Sequence, residues 1–251
     1  MRDLVLIDML RAGVHFGHQL SRRHPKMEPY LYGQRGGVSI INLERTKTAL
    51  IQAASFVRDL VASGGTIIFI GTKRQARTIV QAAAQQAMMP YIVDRWIGGL
   101  LTNFNNVKQL ITKLHDLKEQ RASGGLQKYT KKEQLEFERE INRLDKLVGG
   151  LASLEKLPSA VMVIDVKYEK TAVREAQKVG VPVIALCDSN VNPIGIDYVI
   201  PGNDDASKSI SLVMELLAEA VAEGRQQHEQ KLVATARAVA AAAAVPAEVK
   251  Q

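Results

Sequence analysis

Short apolar segments alternate with longer amphipathic segments from residue 66 onward. The apolar segments are continuous rather than interleaved with polar residues, which is typical of strands that are buried on both faces of a parallel sheet. They predict five strands, at residues 66–70, 91–93, 160–165, 182–187 and 198–200. The amphipathic segments predict helices over residues 43–63, near 73–88, over 168–179 and after Asp204. We therefore expect an α/β fold, with a parallel sheet of about five strands and right-handed crossovers.

Residues 103–150 interrupt this alternation with two helical stripes and no strand. Apolar residues recur there at spacings of three and four on both sides of a break at Gly124-Gly125, which is the pattern of paired helices. The stripe residues are Val107, Leu110, Leu114, Leu117, Phe137, Ile141, Leu144 and Val148. We predict an antiparallel coiled-coil hairpin inserted in the α/β domain. Because two helices bury little surface alone, the stripe residues are also our candidates for docking a partner protein.

These patterns divide the chain into four parts. Residues 1–65 hold an N-terminal helix, a basic loop with a small hairpin and the first long helix. Residues 66–102 and 151–228 form the parallel α/β domain, and residues 103–150 form the projecting hairpin. Residues 229–251 are rich in alanine and lack a stripe of large apolar side chains, so we expect a flexible tail. Asp204-Asp205 is predicted to cap the last helix, where negative charge is favourable.

Composition and charge predict where the protein is located and which class of partner it binds. The 251 residues are 46% hydrophobic, and the single cysteine excludes an internal disulfide, which fits a reducing cytosol. The first nine residues do not resemble a signal peptide, and no apolar run reaches the length of a membrane span. The net charge of +7 divides into +10 over residues 1–150 and −3 over residues 151–251. This asymmetry indicates that the first part faces a polyanion, unless its basic surface is merely solvated.

The stretch over residues 10–46 has the composition of a phosphate-contacting surface. It is rich in glycine and cations and poor in acids, and most of it has neither helical nor strand periodicity. Arginine forks match phosphate oxygens, and glycine lets backbone N–H groups approach them. The candidate cations are Arg22, Arg23, Lys26, Arg35 and Arg45. Tyr30 and Tyr32 precede "GQRGG" and an apolar run, which predicts a small hairpin with Arg35 at its turn. The tyrosines either stack on bases or pack against the protein.

Further hydrogen-bond donors follow the first two predicted strands and the entry to the helical hairpin. They are Lys73, Arg74, Arg95, Trp96, Asn103 and Lys108. The sequence has no signature of an RRM, KH or zinc-knuckle module, so recognition would rest on the shape and backbone of a folded RNA. Taken from the residues alone, the chain is predicted to be an α/β protein that binds nucleic acid.

The sequence motifs give little indication of a catalytic function. The segment after the first strand reads "GTKRQA", which lacks the glycine spacing of both phosphate-binding motifs of α/β enzymes. His15, His18 and His24 have no fourth zinc ligand nearby, so we favour roles in ordering the loop or donating to phosphate. Cys187 ends an apolar strand with no histidine near it in sequence, which is typical of a core residue.

Asp188, Asp204 and Asp205 follow successive strands and are expected to converge at one edge of the sheet. They would either hold a divalent ion there or serve, in the case of Asp204-Asp205, only as a helix cap. We predict no catalytic residue, no metal and no cofactor.

The bacterial small-subunit ribosomal proteins of the S-two family closely resemble this chain at "LRAGVHFGH", "PKMEPYLYG" and "VSIINLERT". The resemblance continues in the family's order through "FIGTKRQA", "RWIGGLLTNF", "AVMVID" and "CDSNVNPIGIDYVIPGNDDA", from about residue 3 to residue 228. Two positions depart from the pattern. Arg22-Arg23-His24 replaces a stretch that is often more aromatic, and Ile194 stands where an acidic residue is common, which weakens any metal site around Asp188.

The resemblance implies a flavodoxin-like (Rossmann-like) parallel sheet that carries a projecting coiled-coil hairpin. It implies a non-catalytic constituent of the small ribosomal subunit that supports translation, binds rRNA between head and body, and helps to anchor the mRNA-binding ribosomal protein S-one. The implied partners are rRNA and neighbouring small-subunit proteins, without a membrane or a homo-oligomer, in the cytoplasm of a bacterium or encoded in an organelle. The family's RNA-facing roles carry onto Arg22, Lys26, Arg35, Lys73, Arg74, Arg95 and Asn103.

Two other functions stay open. An enzyme or sensor would use the crevice between residues 71–74 and 165–167, which is the switch point of the sheet if the strand order is 2-1-3-4-5. A docking module would act through residues 107–148, and this role is compatible with RNA binding.

Overall fold

Eight strands and seven α-helices run through the part of the chain that this computed structural model describes, which is residues 5–243, with side chains described from residue 5 to residue 235. The strands are β1 (Phe16–Gln19), β2 (Leu31–Arg35), β3 (Val38–Ile41), β4 (Ile67–Ile70), β5 (Tyr91–Ile92), β6 (Ala160–Ile164), β7 (Val183–Cys187) and β8 (Tyr198–Pro201). The helices are α1 (Leu6–Arg11), α2 (Leu43–Ala62), α3 (Arg77–Ala87), α4 (Phe104–Ala122), α5 (Lys131–Val148), α6 (Lys170–Val179) and α7 (Ser207–Ala243).

Five strands form a parallel sheet in the order β5-β4-β6-β7-β8. Counted along the chain this order is 2-1-3-4-5, which is the flavodoxin-like arrangement. The five predicted strands are confirmed, and their bounds differ from the predicted ones by at most one residue. Strands β4, β6 and β7 are buried along their whole length, because helices cover both faces of the sheet.

Alternate residues of the central strands belong to two separate hydrophobic cores. Ile67 and Phe69 of β4 pack in the core that α2, α3 and α7 cover, whereas Ile68 and Ile70 pack in the core that α6 and the base of the inserted hairpin cover. This division follows from the strand period of two, which sends successive side chains to opposite faces. The fold therefore has three layers, and the central strands anchor both layers of helices.

Helices α4 and α5 form the inserted hairpin between β5 and β6. Thr130 caps α5: its hydroxyl accepts a hydrogen bond from the Glu133 N–H, and the Glu133 carboxylate accepts one from the Thr130 N–H. The guanidinium of Arg143, followed by the ammonium of Lys113 on α4, lowers the pKa of the partly exposed Glu140 to about 2. These interactions hold the polar outside of the hairpin together.

The predicted apolar stripes lie inside the helical hairpin. Leu110 and Phe137 are partly buried, and the other stripe residues are buried: Val107, Leu114, Leu117, Ile141, Leu144 and Val148. Their side chains join α4 to α5 and continue into the core on that face of the sheet. A partner protein would therefore contact the exposed faces of the hairpin and not the stripe residues themselves.

The last helix follows Asp204, as predicted, and differs from its prediction at the carboxyl end. It begins at Ser207, and the Asn203 side-chain oxygen accepts from the N–H groups of Asp205 and Ala206, at 2.9 and 3.2 Å. The side chains of Asp204 and Asp205 contact the Lys73 ammonium group, at 2.7 and 2.6 Å, and their role as a cap of α7 stays a prediction. At the other end α7 continues to Ala243, so residues 229–243 are helical where we expected a flexible tail. The rest of that predicted tail, residues 244–251, lies outside the described residues.

A second, antiparallel sheet has the order β1-β3-β2. Strands β2 and β3 are the small hairpin that the sequence predicts, whereas β1 was not predicted, because its sequence "FGHQ" has no apolar alternation. We call residues 16–41 the N-terminal module. Across residues 5–243, no helix has the length and apolarity of a membrane span.

Candidate nucleic-acid interface

The N-terminal module is attached to the loops at the carboxyl edge of the parallel sheet. Ser189, after β7, accepts from the His18 N–H through its hydroxyl and from the His24 N–H through its carbonyl, both at 2.8 Å. A Cβ at Gly17 would lie 2.7 Å from the Ser189 hydroxyl, so only glycine permits this approach. Just before the module, the Asn203 amide donates to the Gly13 carbonyl at 3.2 Å. The basic segment is thus ordered by contacts with distant parts of the chain.

His18 connects the module to two carboxylates at that edge. Its Nδ1 lies 3.1 Å from Asp188 Oδ2, and its Nε2 lies 3.3 Å from Asp205 Oδ2. The hydrogen bond with Asp188 raises the pKa of His18, against the opposing effect of burial, and the negative charges of Asp188, Asp205 and Asp204 raise it further. A protonated imidazole donates from both ring nitrogens, so this geometry suits the charged form. The histidine is therefore a structural link between the N-terminal module and the carboxyl edge of the sheet.

Lys73 lies at the centre of the remaining carboxylates at this edge. Its Nζ is 3.1 Å from Asp165, 2.7 Å from Asp204 and 2.6 Å from Asp205, and its side chain is only 13% exposed. Burial alone would lower the pKa of Lys73, but the carboxylates reverse this effect and raise it above its ordinary value. The aspartates converge as the sequence predicts, and the ammonium group lies among them. Among the described residues, no cluster of three or more His, Cys, Asp or Glu has metal-site geometry.

Burial first, and then the charges of Asp165 and Asp188, raise the pKa of Asp204 to about 7, although Lys73 acts in the opposite direction. The edge therefore holds more carboxylates than cations, and protonation of Asp204 relieves part of this imbalance. The cluster lies at the junction between β4, β6, β8 and the N-terminal module.

The crevice at the switch point, between β4 and β6, is occupied by side chains of the protein. The Thr72 backbone N–H donates to Glu169 Oε1 at 3.0 Å, and the Thr72 hydroxyl donates to the same oxygen. Burial raises the pKa of Glu169. Together with the contact between Lys73 and Asp165, this pair engages Thr72, Lys73 and Asp165 of the crevice that our alternative hypothesis assigned to an enzyme or sensor. The geometry does not favour that alternative.

The turn of the β2–β3 hairpin presents a cation to solvent. Gly36 and Gly37 have φ of +58° and +76°, the backbone of a two-residue turn that favours glycine. Arg35 pairs with Val38 at the end of β2 and is exposed. The Gly37 carbonyl accepts from the Leu20 N–H at 3.1 Å, which ties the turn to the segment that carries Arg22. The structure thus brings two predicted cations to neighbouring segments.

The two tyrosines of the module have different surroundings. Tyr30 is partly buried against the core that lies under the helical hairpin. Tyr32 is 81% exposed, because a bulge leaves it without a partner between the pairs Leu31–Ile41 and Gly33–Ile40. The two alternatives for these residues therefore separate: Tyr30 packs against the protein, and Tyr32 presents its ring to solvent.

The other predicted cations of the module lie on its surface. Arg22, Lys26 and Arg45 are exposed, and within the described residues none of their side chains makes an ion pair. Arg23 is half-buried and lies 3.7 Å from Glu28, a weak contact for an exposed pair. His24 orders this loop, because its Nδ1 accepts from the Lys26 N–H at 3.2 Å.

A second group of predicted residues lies where β4, β5 and α4 meet solvent. Arg74 and Arg95 are exposed after their strands, and Asn103 and Lys108 are exposed at the start of α4. Trp96 is buried instead, and its indole N–H donates to Glu175 Oε1 at 3.1 Å. It is therefore unable to stack on a base.

Glu175 is a structural residue that the sequence reading missed. Its carboxylate accepts from the Gly99 N–H at 2.8 Å and from the Leu101 N–H at 3.2 Å, besides Trp96. Burial raises its pKa, but these donors lower it by more, so the net pKa lies below its ordinary value. The sequence signal for this structural role is the position of Glu175 among the apolar residues Ala172, Val173 and Ala176 on one face of α6. Glu175 fixes the loop that leads into the helical hairpin.

The remaining reactive side chains have structural surroundings. Cys187 is fully buried, and burial raises the pKa of its thiol, as expected for a core residue. His15 lies against the ring of Phe16 at a centroid distance of 4.0 Å, and burial lowers its pKa.

The sequence was also compared with models of known protein families. Residues 9–224 match the model of the family described as Ribosomal protein S2. This match covers the parallel sheet, the N-terminal module and the helical hairpin, and most of the 251 residues. The resemblance found in the motifs and the architecture of the sheet agree with it. The chain therefore belongs to the ribosomal protein S2 family, whose members are structural and non-catalytic proteins of the small ribosomal subunit.

Proposed function

We propose that the protein binds small-subunit rRNA, between the head and the body of the subunit, through the exposed cations of the N-terminal module and of the sheet edge. The observation that carries the proposal is that Arg22, Lys26 and Arg35 are exposed without acidic partners among the described residues, on a module fixed by distant contacts. Because the backbone that carries these cations is already ordered, only their side chains lose conformational freedom when they meet phosphates, which suits recognition of a folded backbone.

Arg74, Arg95, Asn103 and Lys108 extend this surface toward the base of the helical hairpin. We include Arg23 and Arg45 as marginal members of this proposed RNA-binding surface. We leave Lys73 out of the contact set, because its ammonium group has three carboxylate partners within the protein. Tyr32 joins the set, since its exposed ring offers a face on which an unpaired base can stack.

The test is the salt dependence of binding between the full chain and folded small-subunit rRNA. Each phosphate contact contributes about 0.9 to the slope of log K against log salt on a duplex. Replacing Arg22, Lys26 and Arg35 together by alanine should therefore lower the slope by about 2 to 3. Lys178→Ala is the matched control, because Lys178 ends α6 near the amino edge of the sheet, away from the module. Equal slopes for the wild type and the triple variant would contradict the proposal.

A second role rests on the helical hairpin. We propose that its exposed faces help to anchor the mRNA-binding protein S-one, a role that the resemblance implies and that the buried stripe leaves to the polar outside of α4 and α5. Replacing residues 118–138 by a short glycine-serine loop keeps the base of the hairpin, which packs on the sheet. This variant should still co-sediment with small subunits and should lose S-one. Retention of S-one would contradict the proposal.

A further inference from the structure

A cationic pocket lies beside the N-terminal module, between the loop after β6, the first turns of α6 and the loop after β7. It encloses about 270 Å³. Its charged lining consists of Lys167, Lys170 and Arg174, and its apolar lining includes Val173, Val191 and Ile194. None of these residues was among the RNA-binding residues predicted from the sequence. The pocket shares Lys167 with the crevice between residues 71–74 and 165–167, and the rest of its lining comes from α6, the loop after β7 and His24.

The positive charge of this pocket is not compensated by the protein. No aspartate or glutamate lines it, and within the described residues Lys167, Lys170 and Arg174 make no ion pair. The nearby acids are engaged elsewhere: Glu169 accepts from Thr72, and Glu175 accepts from the loop at Trp96. The pocket therefore favours an anion.

Two further features indicate that the pocket favours a ligand with more than a negative charge. Helix α6 begins at the pocket with no side chain capping its first turn, so its amino end adds positive potential and free backbone donors. Asn190 also lines the pocket, and its side-chain oxygen is buried without a hydrogen-bond partner. A buried acceptor without a partner is costly and is satisfied by a donor on a ligand. The pocket therefore favours a ligand that combines a negative group, an apolar face and an N–H donor.

We propose that this pocket binds one unpaired nucleotide of RNA. Lys167, Lys170 and the amino end of α6 hold its phosphate, and the base lies against Val173, Val191 and Ile194. The Arg174 guanidinium stacks on the base or pairs with the phosphate, since its planar group does both. An exocyclic amino group of the base supplies the donor for Asn190. This inference rests on the proposed RNA-binding function and adds to it a site for single-stranded RNA.

The size of the pocket favours a nucleotide that belongs to a chain. Pockets that enclose a whole small ligand measure roughly 300 to 1,000 Å³, and this one is slightly smaller. Ile194 at its rim is 56% exposed, which leaves the rest of a strand free to continue into solvent. The exposed cations of the adjacent N-terminal module are available to the flanking phosphates.

The test uses the full chain and a fluorescent, unstructured RNA hexamer, with fluorescence anisotropy as the readout. Replacing Lys170 and Arg174 together by alanine should weaken binding by roughly tenfold or more, and should lower the salt slope by about 1.4 for two contacts on a single strand. Lys178→Ala, on the same helix outside the pocket, should change the affinity by less than about twofold. Ile194→Glu should weaken binding more than Ile194→Gln does, because both remove an apolar contact with the base but only the former places an acid in the pocket.

Competition experiments decide the source of the ligand. The same hexamer in a duplex, AMP and inorganic phosphate should each displace the labelled strand far less well than the unlabelled strand does. Equal displacement by phosphate would make the pocket a plain phosphate site, and equal displacement by AMP would make it a site for a free nucleotide. Either result would overturn the proposal.

The two proposals fail in distinguishable ways. If Arg35→Glu lowers hexamer affinity and the pocket variants do not, the strand binds to the N-terminal module; the pocket proposal then fails and the proposed function stands. If neither folded rRNA nor the hexamer binds to the wild type, both fail. Binding of rRNA that is lost in the triple module variant, together with hexamer binding that is lost in the pocket variant, supports both.

Discussion

Lys73 and Arg35 look alike in the sequence, as cations within two residues of a glycine at the end of a strand, yet the structure gives them opposite surroundings. Lys73 follows a central parallel strand and has three carboxylates within 3.1 Å of its ammonium group. Arg35 ends an edge strand at a two-residue turn and is exposed, with no ion pair among the described residues. One charge is neutralised inside the protein, and the other remains available to a ligand.

Topology accounts for this difference. Parallel strands bring their carboxyl ends to one edge, so Asp165 and Asp204, which are 92 and 131 residues away in sequence, lie beside Lys73. A hairpin turn brings together only its two strands, and those supply no acid near Arg35. A cation at the edge of a parallel sheet should therefore be assigned to a ligand only after the acids that follow the neighbouring strands have been counted.

Removing the Lys73 charge should have the largest effect on stability. Lys73→Met leaves several carboxylates together at a partly buried site, and we expect the free energy of unfolding to fall by about 3 kcal/mol at pH 8. The loss should be smaller at pH 5.5, because Asp204, with a pKa of about 7, is then protonated and repels its neighbours less. Urea denaturation at the two pH values measures the difference.

Arg74→Met is the matched control for this variant. Arg74 is the next residue along the chain and is exposed, so its replacement should change the free energy of unfolding by no more than about 0.5 kcal/mol. A small loss for Lys73→Met, similar to that of the control, would show that the carboxylates do not depend on the ammonium group and would remove the contrast with Arg35.

His18 should have a smaller effect that depends on pH. Its pKa is raised in the folded protein, so its stabilising contribution is present below pH 6.5 and is lost as the pH rises through the folded pKa. The raised pKa of Asp204 acts in the same direction between about pH 4 and 7. We expect His18→Asn to cost about 1 to 2 kcal/mol at pH 5.5 and less at pH 8.5.

Thermal unfolding across this pH range provides the measurement for His18. His115→Asn, on the exposed surface of α4, is the control and should leave the pH profile unchanged. A cost for His18→Asn that grows with pH would mean that the imidazole is neutral in the fold, and the assignment of both ring nitrogens as donors would be wrong.

The smallest effect on stability should come from Arg35. Arg35→Glu should change the free energy of unfolding by no more than about 0.5 kcal/mol, because the side chain is exposed and makes no ion pair within the described residues. The same variant should weaken binding to folded rRNA. A variant that unfolds in isolation would make Arg35 a structural residue and would place it in the same class as Lys73.

The sequence predicted the parallel sheet because continuous apolar runs have a local signal, and the five strands lie within one residue of their predicted bounds. It missed β1 and the link through His18, because their partners, Ile40 and Asp188, come from other parts of the chain and leave no local pattern in "FGHQ". The candidate site was predicted as a set of cations. Whether each of these cations faces solvent depends on nearby carboxylates, and only the folded topology brings those carboxylates close to the cation.

The attachment of the N-terminal module has a consequence for synthesis of the chain. Gly13 is held by Asn203, 190 residues later, and His18 by Ser189, 171 residues later. At a translation rate of about 5 to 20 residues per second, roughly 10 to 40 seconds separate the emergence of these contacts from the ribosome. This basic segment of the nascent chain is therefore synthesised well before the residues that hold it in place, while it is surrounded by RNA. We expect premature contacts to form in that interval and to be exchanged for native ones once β8 has emerged.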